Sequence, residues 1–236
     1  MTETVNSEAR QRLALALDVD DDVRAMQLAR ELKPWFGVAK VGLELFTAVG
    51  PDIITRLIDE GFEVFLDLKM VDIPTTVGKA ARVAGSLGAT YLTMYAHGGA
   101  DMLAAGTQGM IEGADAAGLP QPIPLALTIL TSDDTAPAHI LGSRIRTAME
   151  AGCKGVVCAS SDLQEVRLLA PRMFKVVPGI RLANSPTHDQ IRASSPADAI
   201  SAGADILVIG RAVTQADDRV AAARAISDEV AGALRV

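Results

Sequence analysis

Val64-Phe65-Leu66-Asp67-Leu68-Lys69-Met70-Val71-Asp72-Ile73-Pro74-Thr75-Thr76 is an apolar run that breaks into three charges within six residues. A short, continuous apolar run reads as a strand buried on both faces, and the Pro and two Thr after it suit the start of a helix. The charges therefore fall where the buried strand ends. Residues two apart on a strand share a side, so Asp67 and Lys69 emerge together, while Asp72 lies on the connecting turn. Taking such charges out of water costs several kcal/mol each unless they are paired, so this is either a rim salt bridge or a built cluster of opposite charges.

Outward from this stretch the same alternation recurs. Apolar runs fall at Leu13–Leu17, Ala39–Gly42, Val64–Leu68, Thr90–Met94, Leu125–Ile129, Gly155–Cys158, Phe174–Val177 and Ile206–Ile209. Helices are expected between them at Asp22–Leu32, Asp52–Glu60, Thr75–Leu87, Asp101–Ala117, Ser143–Ala151, Asp162–Leu169, Pro196–Ala202 and from about Asp217 to Leu234. Gly61, Gly88, Gly152, Gly155 and Gly203 stand near strand starts, where a left-handed residue would end the preceding helix. Eight βα units over 236 residues, without a composition break or long linker, predict a single-domain (β/α)8 TIM barrel preceded by a polar N-terminal extension over 1–12. In that fold the chemistry sits at the C-terminal strand ends.

Composition agrees and excludes partners. Hydrophobic residues make up 49% of the chain and aromatics only 3%, so the core must be aliphatic, as in parallel sheets. A net charge of −7 without a basic stripe argues against nucleic acid and acidic membrane surfaces. No stretch has the length of a membrane span or the form of a leader, so a cytoplasmic protein is expected. Cys153 and Cys158, with no CxxC spacing and no His beside them, are expected to be buried free thiols rather than a disulfide or metal site.

The strand ends carry the signal. Asp18 follows the first strand and is either a helix cap or a site carboxylate. Lys40 sits inside the second, where a lysine needs a carboxylate, and Asp67 is the expected partner, giving an alternating series Lys40, Asp67, Lys69, Asp72 in which each charge favours its neighbour's ionised form. Tyr95 ends the fourth strand, with His97 in the turn after it. Thr131 and Ser132 follow the fifth and can bind an amide edge or cap a turn. The seventh runs into Pro178-Gly179-Ile180-Arg181 and the eighth into Gly210-Arg211, the usual barrel phosphate loops, with two arginines converging on an anion. The polar segment 182–195 is long for its place and is expected to be a lid, with Gln190 touching the ligand.

Taken together, Asp18 after LALAL, Lys40 in KVGLELF, DLKMVDIPTT at 67–76, LTS at 130–132, PGIR at 178–181, Gln190 and IGR at 209–211 resemble the orotidine 5′-phosphate decarboxylase family, from about Leu13 to Val213. The resemblance implies cofactor-independent, metal-independent decarboxylation of orotidine 5′-monophosphate to UMP in de novo pyrimidine biosynthesis. Lys69 would be the proton donor and Asp67 would face the substrate carboxylate. Lys40 and Asp18 would hold the ribose, and Thr131 would face the pyrimidine. Gln190 would bridge base and phosphate, Gly210 and Arg211 would take the phosphate, and Pro178 and Arg181 would complete the binding wall. Asp72, Ile73 and Thr76 would enter the site of a second subunit, making an obligate homodimer. The chain departs from the family at Tyr95, where a His is usual. The alternatives are a metal-dependent sugar-phosphate decarboxylase or aldolase, for which Glu44 leaves an opening, and a non-catalytic nucleotide-phosphate binder.

Overall fold

A computed structural model describes residues 6–133, 135–137, 139–181 and 194–235 of the chain. Its strands are β1 (Leu13–Ala16), β2 (Val38–Gly42), β3 (Glu63–Met70), β4 (Tyr91–Tyr95), β5 (Ile123–Leu127), β6 (Gly155–Val157), β7 (Phe174–Val177) and β8 (Ile206–Ile209). They lie parallel in chain order and close, β8 against β1, into one barrel. The helices between them are α1 (Ser7–Gln11), α2 (Asp22–Leu32), α3 (Leu43–Val49), α4 (Asp52–Asp59), α5 (Pro74–Ser86), α6 (Ala100–Ala116), α7 (His139–Glu150), α8 (Leu163–Leu169), α9 (Pro196–Ser201), α10 (Arg211–Thr214) and α11 (Arg219–Ala233). The chain is thus the (β/α)8 barrel expected of eight alternating units.

Two apolar layers hold it. An outer layer, including Leu15, Val41, Leu66 and Leu92 of the strands and Leu32, Leu57 and Ile226 of the helices, fills the space between barrel and helical ring. Alternate strand residues, Ala14, Val38, Phe65, Tyr91, Leu125, Leu127, Val157, Val176 and Ile206, fill the lumen. Near the N-terminal strand ends the lumen is plugged: Phe65 meets Tyr91 edge-on at 6.0 Å and Tyr91 stacks on Phe174 at 5.8 Å. The Tyr91 hydroxyl donates to Glu63 at 2.9 Å, and burial, with Glu63 beside it, pushes its pKa up. Lys175 is buried on the same floor, donating to Asp205 at 3.2 Å and to the Met173 carbonyl at 2.6 Å. Rings and ion pairs thus fill the lumen at this end.

The chain differs from the sequence reading in ways that matter. Residues 7–11, expected as part of a polar extension, form α1, capped by the Asn6 side chain and anchored by the buried Ala9. Helices α3 and α10 follow β2 and β8 directly, too short for a periodicity to reveal. Gly61, Gly88, Gly152 and Gly203 have positive φ as expected, but Gly155 does not. It sits in β6, where a Cβ would come within 2.5 Å of the Phe174 carbonyl oxygen, so close strand approach explains it. Strand β3 runs on to Met70, past the end expected at Leu68, and its pairing with β4 shifts register between Leu66 and Met70.

Candidate active site

The other end of the barrel holds a cavity of about 570 Å³ lined from β1, β2, β3 and β5 to β8 and the loops after them. Of the residues expected in the site, Asp18, Lys40, Asp67, Lys69, Thr131, Pro178, Arg181, Gly210 and Arg211 all line it. Asp72, Ile73 and Thr76 do not. Gln190 and most of the expected lid over 182–195 lie outside the described residues; what is described of that segment is Ser194 and Ser195, with Ser194 bridging to Ile180 and accepting from the Arg181 amide at 3.0 Å.

The charges pair differently from the expected series. Lys40, only 7% exposed, donates from Nζ to Asp18 Oδ1 at 2.6 Å, not to Asp67. The reason is register: Ala16 pairs with Lys40, which brings the end of β1 beside the lysine, whereas Asp67 lies opposite Gly42, two residues farther along. Gly42 leaves room for this pair, since a Cβ there would stand 3.2 Å from both Asp18 Oδ1 and Lys40 Nζ. Asp18 is free of the capping role, because Asp21 caps α2 by accepting from the Arg24 amide at 2.7 Å.

Asp67 pairs instead with the lysine of its own strand, Oδ2 accepting from Lys69 Nζ at 2.7 Å. Lys69 has φ +50, the one non-glycine residue with positive φ among those described. Side chains are strained there, and residues held in such wells cluster where a side chain must be aimed. Between the pairs Leu66 with Leu92 and Met70 with Met94, three residues of β3 face one of β4, a bulge that turns Lys69 into the lumen. The single residue opposite is Thr93, fully buried, whose hydroxyl accepts from the Lys69 amide at 2.9 Å and donates to Asp67 Oδ1 at 3.0 Å. Sequence reasoning missed Thr93. A polar residue inside a strand otherwise buried on both faces was the available signal.

Arg181 and Arg211 line the cavity from the loops after β7 and β8. Gly179, at φ +80, makes the sharp turn that brings the buried Arg181 back over the barrel mouth. Gly210 precedes α10, and Thr214 and Gln215 at its end also face the cavity, as does Glu44 after β2; none of these three stood among the expected site residues. Arg181 and Arg211 come from the β7 and β8 ends, and the Lys40–Asp18 and Lys69–Asp67 pairs from the ends of β1 to β3.

Asp72, Ile73 and Thr76 are exposed instead. Ile73 is 66% exposed, the Asp72 carboxylate accepts from the Ile73 amide at 2.6 Å, and Asp72 and Thr76 line a separate shallow groove with Leu68, Lys69, Met70, Val71, Val77 and Ala80. Lys69 borders both hollows. Tyr95 lines neither; its ring lies under the Arg144 guanidinium at 5.3 Å, and Arg144 donates to the Thr128 carbonyl at 2.6 Å. His97 is an exposed turn residue. Among the described residues no cluster of three His, Cys, Asp or Glu has metal-binding geometry, and no helix is long and apolar enough to cross a membrane.

Residues 11–226 match the family described as Orotidine 5′-phosphate decarboxylase / HUMPS family. The orotidine 5′-phosphate decarboxylase of Pseudoalteromonas translucida is 40% identical over 91% of this chain and 94% of its own length. That of Moorella thermoacetica is 39% identical over 98% and 96%. Among solved structures, the orotidine 5′-phosphate decarboxylase of Lactobacillus acidophilus superposes with a TM-score of 0.77 at 34% identity, covering 93% of this chain and 99% of that one.

Proposed function

The chain belongs to the orotidine 5′-phosphate decarboxylase / HUMPS family, and from that premise we propose that it converts orotidine 5′-monophosphate to UMP and CO2 through a carbanion at C6 protonated by Lys69. The enzyme is a carboxy-lyase of pyrimidine biosynthesis. When the C6–carboxylate bond breaks, its electron pair stays on C6 in the ring plane, where the ring's π system cannot spread it. An ammonium aimed at that carbon in a site closed to water stabilises the charge as it develops, and one N–H of the ammonium then becomes the C6–H bond of UMP. Asp67, held 2.7 Å from Lys69 Nζ, keeps the ammonium aimed and opposes the departing carboxylate. That repulsion raises the ground state and ranks second to the stabilisation of the carbanion.

The observation that carries this reading is the aim of Lys69: a left-handed, bulged lysine paired with a carboxylate and facing the same cavity as Arg181 and Arg211. In this reading the arginines and the Gly210 amide take the phosphate, Thr131 faces the pyrimidine, Gln190 bridges base and phosphate, and Lys40 and Asp18 hold the ribose. Asp72, Ile73 and Thr76 complete the site of a second subunit. Their exposure beside a groove that Lys69 also borders supports a homodimer with shared sites.

Glu44 on the cavity wall sustains the metal-dependent sugar-phosphate reading as the alternative. Ultraviolet absorbance of orotidine 5′-monophosphate, followed with purified protein in excess EDTA, separates the two. The expected result is conversion to UMP at a rate that the chelator leaves unchanged. No turnover, or turnover lost with EDTA and restored by a divalent cation, overturns the proposal.

A further inference from the structure

We propose that Thr93 is the positioning residue of this site, its buried hydroxyl holding both the strained backbone of Lys69 and the carboxylate of Asp67. The inference rests on the decarboxylase reading and deepens it. Where β3 bulges, the Lys69 amide finds the Thr93 hydroxyl at 2.9 Å in place of a ladder partner, and φ +50 is held there against the pull of the ordinary wells. The same oxygen has one hydrogen to give, and Asp67 Oδ1 takes it at 3.0 Å.

Both carboxylate oxygens are thereby engaged, Oδ1 by the hydroxyl and Oδ2 by Lys69 Nζ at 2.7 Å, so Asp67 cannot rotate without breaking one of the two bonds. Backbone, carboxylate and ammonium form a closed loop through one side chain. Thr93 does not line the cavity and touches no reacting atom in this reading, so its effect passes through Asp67 and Lys69. A hydroxyl suits the place because it accepts and donates through one oxygen; a methyl there would leave the Lys69 amide and one lone-pair face of Asp67 unsatisfied in a dry interior.

The test compares Thr93→Val, which keeps the shape and removes the hydroxyl, with Thr93→Ser, which keeps the hydroxyl. Hydrogen bonds to charged groups are worth about one to two powers of ten, so Thr93→Val should lose about 10- to 100-fold in kcat. KM for orotidine 5′-monophosphate should stay within about threefold, because the phosphate and ribose contacts are untouched. Thr93→Ser should recover most of the rate. Exchange of the C6 hydrogen of UMP with D2O, which reads proton transfer through Lys69 alone, should fall in step with kcat for Thr93→Val. If Thr93→Val does not fold, as its melting curve will tell, Thr93→Ala removes the same hydroxyl without steric demand and is read the same way. A folded hydroxyl-free variant with unchanged kcat, a Thr93→Ser as damaged as Thr93→Val, or unchanged C6 exchange overturns the inference. A wild-type chain that fails to turn over substrate sinks the decarboxylase reading itself, and the inference with it.

Discussion

At the scale of single residues, the site is a matter of which oxygen each cation meets. Lys40 and Lys69 each have a carboxylate within 2.7 Å, so neither sits uncompensated in the barrel mouth. The arginines differ in task, facing the end of the cavity remote from C6 in the proposed binding mode. Binding energy at a distant phosphate can be used to close and assemble the site, so Arg211→Ala is expected to lower kcat/KM by several orders of magnitude without touching the reacting atoms. A loss of less than about tenfold in steady-state assays would count against that role. Other residues bear on stability alone. Cys158 and Cys153 are free and buried; burial pushes the Cys153 thiol up and, with Asp162 adding to it, the Cys158 thiol up to about 12. A thiol that ionises only in the unfolded chain stabilises the fold fully below its unfolded pKa of about 8.5 and progressively less as pH rises toward the folded value. Unfolding free energies from urea titrations should therefore fall between pH 8 and pH 10, by up to about 1.4 kcal/mol per pH unit for Cys158, and Cys158→Ser should flatten that slope.

At the scale of elements, the β3 bulge and the α5–α6 pair act together. Helix α5 begins at Pro74, directly after the exposed Asp72 and Ile73, so whatever fixes α5 fixes the segment proposed to reach a second subunit. It is fixed by backbone contact. A Cβ at Gly109 of α6 would stand 2.1 Å from the Gly78 carbonyl oxygen, and one at Gly113 would stand 2.0 Å from that of Arg82. Glycine in a helix interior ordinarily costs about 0.5–1 kcal/mol relative to alanine, but here the clash is with backbone that cannot swing aside. Gly109→Ala should therefore destabilise by about 1–3 kcal/mol, lowering the melting temperature by several degrees. Gly232→Ala in α11, where a Cβ would meet nothing within 4 Å, should raise it by a degree or more. The same substitution with opposite signs, read in one thermal-melt series, checks the claim; a Gly109→Ala chain as stable as the wild type would refute it.

At the scale of the whole molecule, rings and ion pairs fill the lumen at one end of the barrel, and Asp18, Lys40, Asp67, Lys69, Thr131, Arg181 and Arg211 line the cavity at the other. Asp72 lines a groove of its own with Thr76, outside that cavity. A dimer that places a partner's Asp72 beside Lys69 would complete the row of charges that one chain leaves unfinished. Lys69→Ala and Asp72→Ala chains, each inactive alone, should then regain about a quarter of wild-type activity when mixed, since half of the dimers are mixed and each holds one intact site. Subunit exchange shown by native mass spectrometry without recovered turnover would refute the shared site.

The amino-acid order alone determined the eight strand–helix units, most of their boundaries, and most of the charged side chains that line the barrel mouth. Those signals are local: apolar runs of strand length, turn glycines, and charges placed where a buried strand must end. The tertiary structure decided which charges pair. Lys40 took Asp18 and not Asp67 because strand register, a property of two chain segments at once, brought the end of β1 to it. It also decided that β3 bulges, that Lys69 is left-handed, and that Thr93 ties the two together. A bulge is a mismatch in length between neighbouring strands, so neither strand read by itself could announce it.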